Sequence, residues 1–293
     1  MTTTKPLVSP EPVLRCAGVV AGHDGVAVVT GLDLVVSEGE VVALLGANGV
    51  GKTTTLLSIS GLIPLLDGKI ELFGQDLSAT QRNRFGLTRR SSRSKQVVDR
   101  ARAGIAHVPE DRALFFDLTV RQNLCLAARQ KASKRQAPRI QSSVGPVEPV
   151  EPIAPVGTSG RAGLLTEAEL LDQVLEYFPA LVALLEQPAG VLSGGQQQML
   201  AIGRGLMSQP KLLMVDELSL GLAPILVEQL LPVLRSIAQA TGIAVLIVEQ
   251  HVHLALAVSD RAYLLRRGKS AVSGTSAELA ARSDLVEAGY FGD

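Results

Sequence analysis

Val41-Val42-Ala43-Leu44-Leu45 runs directly into Gly46-Ala47-Asn48-Gly49-Val50-Gly51-Lys52-Thr53, and residues 54–60 follow with the spacing of a helix. The five leading residues are all apolar, so the strand they predict is buried on both faces, as in a parallel sheet covered by helices. The eight that follow fit GxxxxGK[ST] in the strand–loop–helix setting that gives this motif its meaning. Glycines let such a loop curl until its backbone N–H groups converge, and the helix N-terminus adds partial positive charge. A loop of this kind takes phosphates. Gly46, Ala47, Asn48, Gly49, Val50 and Gly51 are expected to wrap them, with Thr54 opening the helix beside them. Lys52 brings a mobile cation to the β- and γ-phosphates of a nucleotide, and the Thr53 hydroxyl is placed to ligate Mg²⁺.

Further along, Leu212-Leu213-Met214-Val215 is again apolar throughout and ends in Asp216-Glu217. Two carboxylates therefore emerge at the carboxyl edge of a buried strand, where open α/β sheets hold their ligands. Asp216 can hold Mg²⁺ and Glu217 can polarise an attacking water. Alone, an apolar run ending in Asp-Glu is a weak pattern; behind a phosphate loop it points to hydrolysis of a nucleoside triphosphate. Between the two strands lies Leu192-Ser193-Gly194-Gly195-Gln196. Ser193 is a good N-cap for a following helix, and the paired glycines let backbone N–H groups come close to an anion.

Shorter β-rich runs at 26–36, 69–73, 104–108 and 243–248 alternate with helix-like segments, which makes an α/β core the natural class. Residues 116–205 read as mostly helical: Leu170, Leu171, Val174, Leu175 and Phe178 recur at helical spacing. Within that segment, 132–163 holds Pro138, Pro146, Pro149, Pro152 and Pro155 and a repeated Val-Glu-Pro, a composition expected to stay disordered. Pro232 falls inside the apolar helix pattern of 225–237, where it removes a hydrogen bond.

Composition closes off other classes. With 293 residues and 46% hydrophobic content the chain buries a substantial core. Its 28 basic residues balance 28 acidic ones, so no global field marks a nucleic acid or an anionic membrane as partner. The stretch 82–102 sets eight basic residues against Asp99 but offers only Phe85 for stacking, so it reads as a solvated helix and loop. Cys16 and Cys125 have no CxxC spacing, which suits a reducing cytoplasm and neither a disulfide framework nor a thiolate metal site. The apolar runs fall short of the roughly 18 residues that cross a bilayer, and residues 1–12 read as an exposed tail. Any membrane role must come through partners. His251 and His253, two apart on a predicted helix, diverge too far to form a metal pair.

Taken in order, the phosphate loop, Leu192–Gln196 and Asp216-Glu217 resemble the motif set of ABC ATPases. More narrowly, Met199-Leu200-Ala201-Ile202-Gly203-Arg204, the run from Asp216 through Pro224, Val248-Glu249-Gln250 and Gly289-Tyr290-Phe291-Gly292 are similar to the LivF-type ATPases of branched-chain amino acid importers. The resemblance covers nearly the whole chain outside the tail and the Pro-rich insertion. It implies one ABC ATPase domain over 13–293: a P-loop NTPase core with a mainly parallel sheet, an N-terminal antiparallel β portion, and a helical subdomain at about 116–205. It also implies Mg²⁺-dependent ATP hydrolysis in a nucleotide-sandwich dimer, either a homodimer or one with a LivG-like partner. Leu192, Ser193, Gly194, Gly195 and Gln196 would then contact the nucleotide held by the opposite subunit. Two membrane permeases would carry the dimer at the cytoplasmic face of the plasma membrane, fed by an extracytoplasmic solute-binding protein, with no nucleic acid involved. Branched-chain amino acids are the solute the resemblance favours; urea, short amides and other amino acids compete, because an ATPase subunit does not touch the solute.

Four departures from the general ABC pattern affect how roles carry over. His23 stands where an aromatic residue stacks on adenine, and its ring can still stack with less area. Glu110 replaces the glutamine that senses Mg²⁺ and the permease, and a glutamate can also ligate a hard cation. Leu218 replaces the proline after Glu217, which is expected to loosen the turn. Gln250 occupies the position of the switch histidine, by its spacing to Ser259-Asp260-Arg261, with His251 beside it. A nucleotide-gated module that does not turn over would lack Glu217. A DNA-repair ATPase of the same superfamily would need a long coiled coil, and a translation factor two motif sets; neither pattern is present.

Overall fold

The computed structural model describes residues 12–77, 81–82, 88–89, 93–132 and 165–282. Nearly all of the Pro-rich insertion and the Gly289–Gly292 motif lie outside these residues, as do residues 1–11 of the expected tail; Pro12 already belongs to a strand.

Strands β1 (Pro12–His23), β2 (Val26–Ser37), β4 (Leu65–Leu72) and β5 (Gln75–Asp76) form an antiparallel sheet in the order β2-β1-β4-β5. A second sheet runs β12-β11-β3-β10-β9-β8. Its members are β3 (Val41–Leu45), β8 (Ile105–Val108), β9 (Leu212–Asp216), β10 (Ala244–Glu249), β11 (Arg261–Arg266) and β12 (Lys269–Thr275). Within it β11, β3, β10, β9 and β8 are parallel, and only the edge strand β12 is antiparallel. A two-residue pair, β6 (Gln81–Arg82) with β7 (Thr88–Arg89), stands apart.

Burial explains why the fully apolar runs became the central strands. Every residue of β3, β9 and β10 is buried, since both faces of this sheet are covered. One face packs on α1 (Lys52–Ser60), whose Leu56 and Ile59 share a core with Leu32 and Leu34 of the antiparallel sheet and with Leu44 and Met214. The other face packs on α5 (Gly194–Met207), α6 (Pro224–Thr241) and α7 (Val252–Val258), and α3 (Val120–Ala132) and α4 (Glu167–Tyr177) extend that core through Leu124 and Val174. α1, which follows the phosphate loop, is thus held between two sheets.

Helix α2 (Arg93–Ala103) falls in the basic stretch expected to be solvated, and Arg100 departs from that expectation. Its side chain is buried, and it donates to the carbonyls of Ser58 and, at 2.8 Å, Ile59. Those carbonyls lie in the last turn of α1, where Ser58 also accepts from the Gly61 N–H at 3.2 Å, and a cation there opposes the negative end of the helix dipole. The last described helix is α8 (Ser276–Ala280). Among the described residues no helix is long and apolar enough to cross a membrane.

Candidate active site

At the carboxyl edge of the parallel sheet, a cleft of about 270 Å³ is lined by Asn48, Gly49, Gly51, Lys52, Thr53, Thr54, Glu110, Glu217, Leu220 and Gln250. It gathers the ends of β3, β8, β9 and β10, the edge at which α/β sheets hold ligands. Two glycines are required by the shape of the loop. Gly46 has φ 153°, and a Cβ there would lie 2.7 Å from the carbonyl oxygen of Leu265. Gly51 has φ 109°, and a Cβ would sit 2.7 Å from the Val29 side chain. The second contact also shows that β2 borders the loop.

Lys52 is buried and donates to the carbonyls of Gly46 at 2.8 Å and Ala47 at 3.1 Å. Its ammonium also pairs with Glu217 Oε1 at 3.1 Å. The cation that the sequence assigns to phosphate and the carboxylate that it assigns to water therefore already meet. Glu217 takes φ 45° while its N–H donates to the Val248 carbonyl at 3.0 Å, so the backbone turns sharply as β9 ends. A left-handed non-glycine residue costs roughly 1–2 kcal/mol and marks a position over-determined by its surroundings.

Asp216, the last residue of β9, is 1% exposed, and neither carboxylate oxygen accepts a hydrogen bond. Burial pushes it up to about 6; the Thr53 hydroxyl opposes that rise, as a nearby dipole rather than a bonded donor, while Glu217 and Glu110 add to it. An unsatisfied buried carboxylate next to a hydroxyl is a donor set suited to a hard cation. Among the described residues no group of three acidic, histidine or cysteine side chains could enclose a metal by itself. A cation here would draw its remaining oxygens from a bound phosphate.

Gln250 lines the cleft and donates through Nε2 to Asn48 Oδ1. His251 points elsewhere: its Nδ1 lies 3.0 Å from the Ser219 hydroxyl. It is the residue before α7, and His253 lies within that helix. No local pattern signals the network that separates Gln250 from His251. Glu249 is fully buried and accepts from the Ser219 N–H at 2.9 Å and from its hydroxyl at 2.7 Å. That anchors the turn after Glu217, as do Leu220 N–H to Glu217 carbonyl at 3.0 Å and a fully buried Leu218. The turn is firm where the missing proline was expected to loosen it, because Leu218 fills the core instead.

Two groups of expected site residues lie away from the cleft. His23 is exposed at the end of β1, beside the tight hairpin Asp24-Gly25, and does not line it. Leu192–Gln196 open α5 and do not line it either. Ser193 accepts from the Gln196 N–H at 3.4 Å while Gln196 Oε1 accepts from the Ser193 N–H at 2.9 Å, a reciprocal capping box. Ser-x-x-Gln spacing could have revealed it. Leu220, half exposed at the cleft mouth, carried no sequence signal.

A strand–loop–helix phosphate cradle with an adjoining acidic strand end defines a P-loop NTPase of the α/β class. Residues 29–219 match the ABC transporter family model. The chain is 36% identical over 261 residues to the high-affinity branched-chain amino acid transport ATP-binding protein BraG of Pseudomonas aeruginosa, covering 88% of this chain and 90% of that one. It is 30% identical over 267 residues to a probable branched-chain amino acid transport ATP-binding protein LivF of Archaeoglobus fulgidus, covering 91% and 94%. The lipopolysaccharide export ATP-binding protein LptB of Haemophilus influenzae is also similar, at 28%. A solved ATP-binding cassette in its ADP conformation superposes with TM-score 0.69 over 96% of this chain and 99% of that one; at 23% identity this supports the fold alone. The chain belongs to the ABC transporter family as an ATP-binding subunit, and it is an ATPase whose hydrolysis drives transport.

Proposed function

We propose that this chain is the motor of an importer for branched-chain amino acids, and that residues 13–293 form one ABC ATPase domain whose helical part spans about 116–205. The observation that carries the site assignment is the meeting of Lys52 and Glu217 at 3.1 Å inside the loop-lined cleft. In this reading Gly46–Thr54 cradle the phosphates, and Lys52 leaves Glu217 to follow the γ-phosphate. The freed carboxylate then accepts a proton from the attacking water. Gln250 donates its amide to the transferring group, a donor that carries no titratable charge. Thr53, Asp216 and Glu110 would hold Mg²⁺, which supplies charge neutralisation at the phosphates. His23, on the hairpin bordering the loop, would stack on the base.

Leu192–Gln196 do not reach their own cleft, which fits a site completed by a second subunit, either another copy or a LivG-like chain. Two permeases and, through them, an extracytoplasmic binding protein complete the assembly at the cytoplasmic face. The amino-acid solute rests on the similarity to BraG and LivF; the similarity to LptB keeps lipid export as a second reading. Vesicles containing this chain with its permeases and binding protein should accumulate labelled leucine only when ATP is inside the face bearing this chain. ATP-driven uptake of urea or an amide instead, or lipid extraction, would reassign the solute and leave the ATPase in place.

A further inference from the structure

The segment joining β8 to α3 carries Glu110 into the cleft and then crosses to the helices. Its conformation is costly: Arg112 and the next residue, Ala113, both lie in the left-handed region, at φ 63° and 45°. Neither is a glycine, and such strain persists only where surrounding contacts impose it. Among the described residues, the side-chain hydrogen bonds that hold this pair from outside the segment come from one helix, α5. The guanidinium of Arg112 donates from Nε to Gln198 Oε1 and from Nη1 to Gln197 Oε1, each at 3.0 Å. The side chain of Arg204 donates back to the carbonyls of Ala113 at 2.6 Å and Arg112 at 3.2 Å. Gln197 and Gln198 directly follow the Ser193–Gln196 capping box, Gln197 is tied by Nε2 to the Ala189 carbonyl at 3.2 Å, and Gln198 is buried. The far end of the segment is fixed separately by fully buried Asn123, which bonds the N–H and carbonyl of Phe115.

A cation is not what the stability of α5 asks for at this point. The first turn of a helix carries the positive end of its dipole, so a guanidinium there is electrostatically disfavoured. Yet Nη2 of Arg112 comes within 3.7 Å of where a Cβ on Gly194 would stand. The fork reaches two amide oxygens at once, a geometry a lysine cannot reproduce. We propose that Arg112 is a positioning residue that locks the first turn of α5 to the Glu110 segment, so that the Ser193–Gln196 turn and the Glu110 edge of the cleft move as one unit. The inference rests on the reading of Ser193–Gln196 as a contact for the opposite subunit's nucleotide. It adds the physical link by which the two edges of one chain, each facing a different nucleotide, are kept in register.

The test uses the full chain with its partner subunits and compares Arg112→Ala, Arg112→Lys and the double variant Gln197→Ala/Gln198→Ala. Amide exchange of Gly194 to Gln197 should quicken about tenfold in Arg112→Ala, on the scale of losing charge-assisted hydrogen bonds. ATP affinity should stay within about twofold and the melting midpoint close to wild type, while kcat falls about tenfold or more. Arg112→Lys should resemble Arg112→Ala. The glutamine variant should reproduce the kcat loss, and combining it with Arg112→Ala should add little further, as expected for one coupled unit. Wild-type exchange at Gly194 to Gln197 in Arg112→Ala overturns the proposal without reference to turnover. So does a kcat loss that is fully additive with the glutamine variant, or one that tracks a large fall in melting midpoint. If exchange and coupling behave as stated but ATP affinity collapses with kcat unchanged, the clamp stands and the opposite-subunit role of the turn fails.

Discussion

At the residue scale, Lys52 and Glu217 meet at 3.1 Å in the loop-lined cleft, and that pairing gives the first prediction its form. Lys52→Ala removes the phosphate-binding cation and should abolish ATP binding or turnover. Glu217→Gln keeps the loop and loses only the proton acceptor, so it should bind ATP and trap the dimer, seen as a shift in size-exclusion chromatography with ATP and Mg²⁺. Wild-type turnover in Glu217→Gln would end its assignment as the base. His107 shows what spacing does not reveal. It interrupts the short apolar run of β8, and its Nε2 is buried without a partner. Burial lowers it from 6.5 to about 4, with Asp111 opposing weakly. The folded chain therefore keeps His107 neutral while the unfolded chain takes up a proton below 6.5, and stability drains away as pH falls from 6.5 towards 4. His107→Leu should flatten that acid limb in melting curves recorded between those pH values. An unchanged limb would mean that another group carries it.

Among the elements, the central strands were readable because a strand covered on both faces must be apolar at every residue, as β3 and most of β9 are. The connections were not: Leu218 was expected to slacken a turn that Glu249 and Ser219 hold from 30 positions apart in sequence. No local pattern carries a contact of that range. Pro232 is a case where the structure supplies the missing reason. Helix α6 buries Val227, Leu230, Leu231, Leu234, Ile237 and Ala238 along one stripe, whereas Pro232 lies on the exposed face with Glu228 one turn before it. The carbonyl that loses its donor therefore faces solvent, and water can satisfy it. An interior proline still costs about 3 kcal/mol, partly offset by the freedom it removes from the unfolded chain. Pro232→Ala should then stabilise the chain by about 1–2 kcal/mol in denaturant titration with turnover unchanged. A loss of stability would show that Pro232 is needed for packing α6 on the sheet.

For the whole molecule, the decisive feature is that one chain does not bring its own Ser193–Gln196 turn to its own phosphate cleft. Only the family resemblance implied that the two motifs do not meet within one chain; the motifs themselves could not say so, because that depends on how α5 crosses the sheet rather than on either motif. If the site is shared between two copies, defects in the two motifs should complement. A Lys52→Ala chain keeps an intact Ser193 turn, and a Ser193→Arg chain keeps an intact phosphate loop, so each supplies what the other lacks. Neither variant alone should hydrolyse ATP above about 1% of wild type, since in each homodimer both shared sites are broken. Mixed in equal amounts and allowed to exchange, half of the dimers pair unlike chains, and each of those has one working site of two. Turnover should recover to about a quarter of wild type if the sites act independently, and to less if hydrolysis at both is coupled. No recovery in the mixture, with turnover of about half that of the intact pair on adding a distinct ATP-binding subunit to the Lys52→Ala chain, would assign the second half of the site to a heterologous partner. Measurable turnover by the Ser193→Arg chain alone would show that the cleft works without the opposite turn.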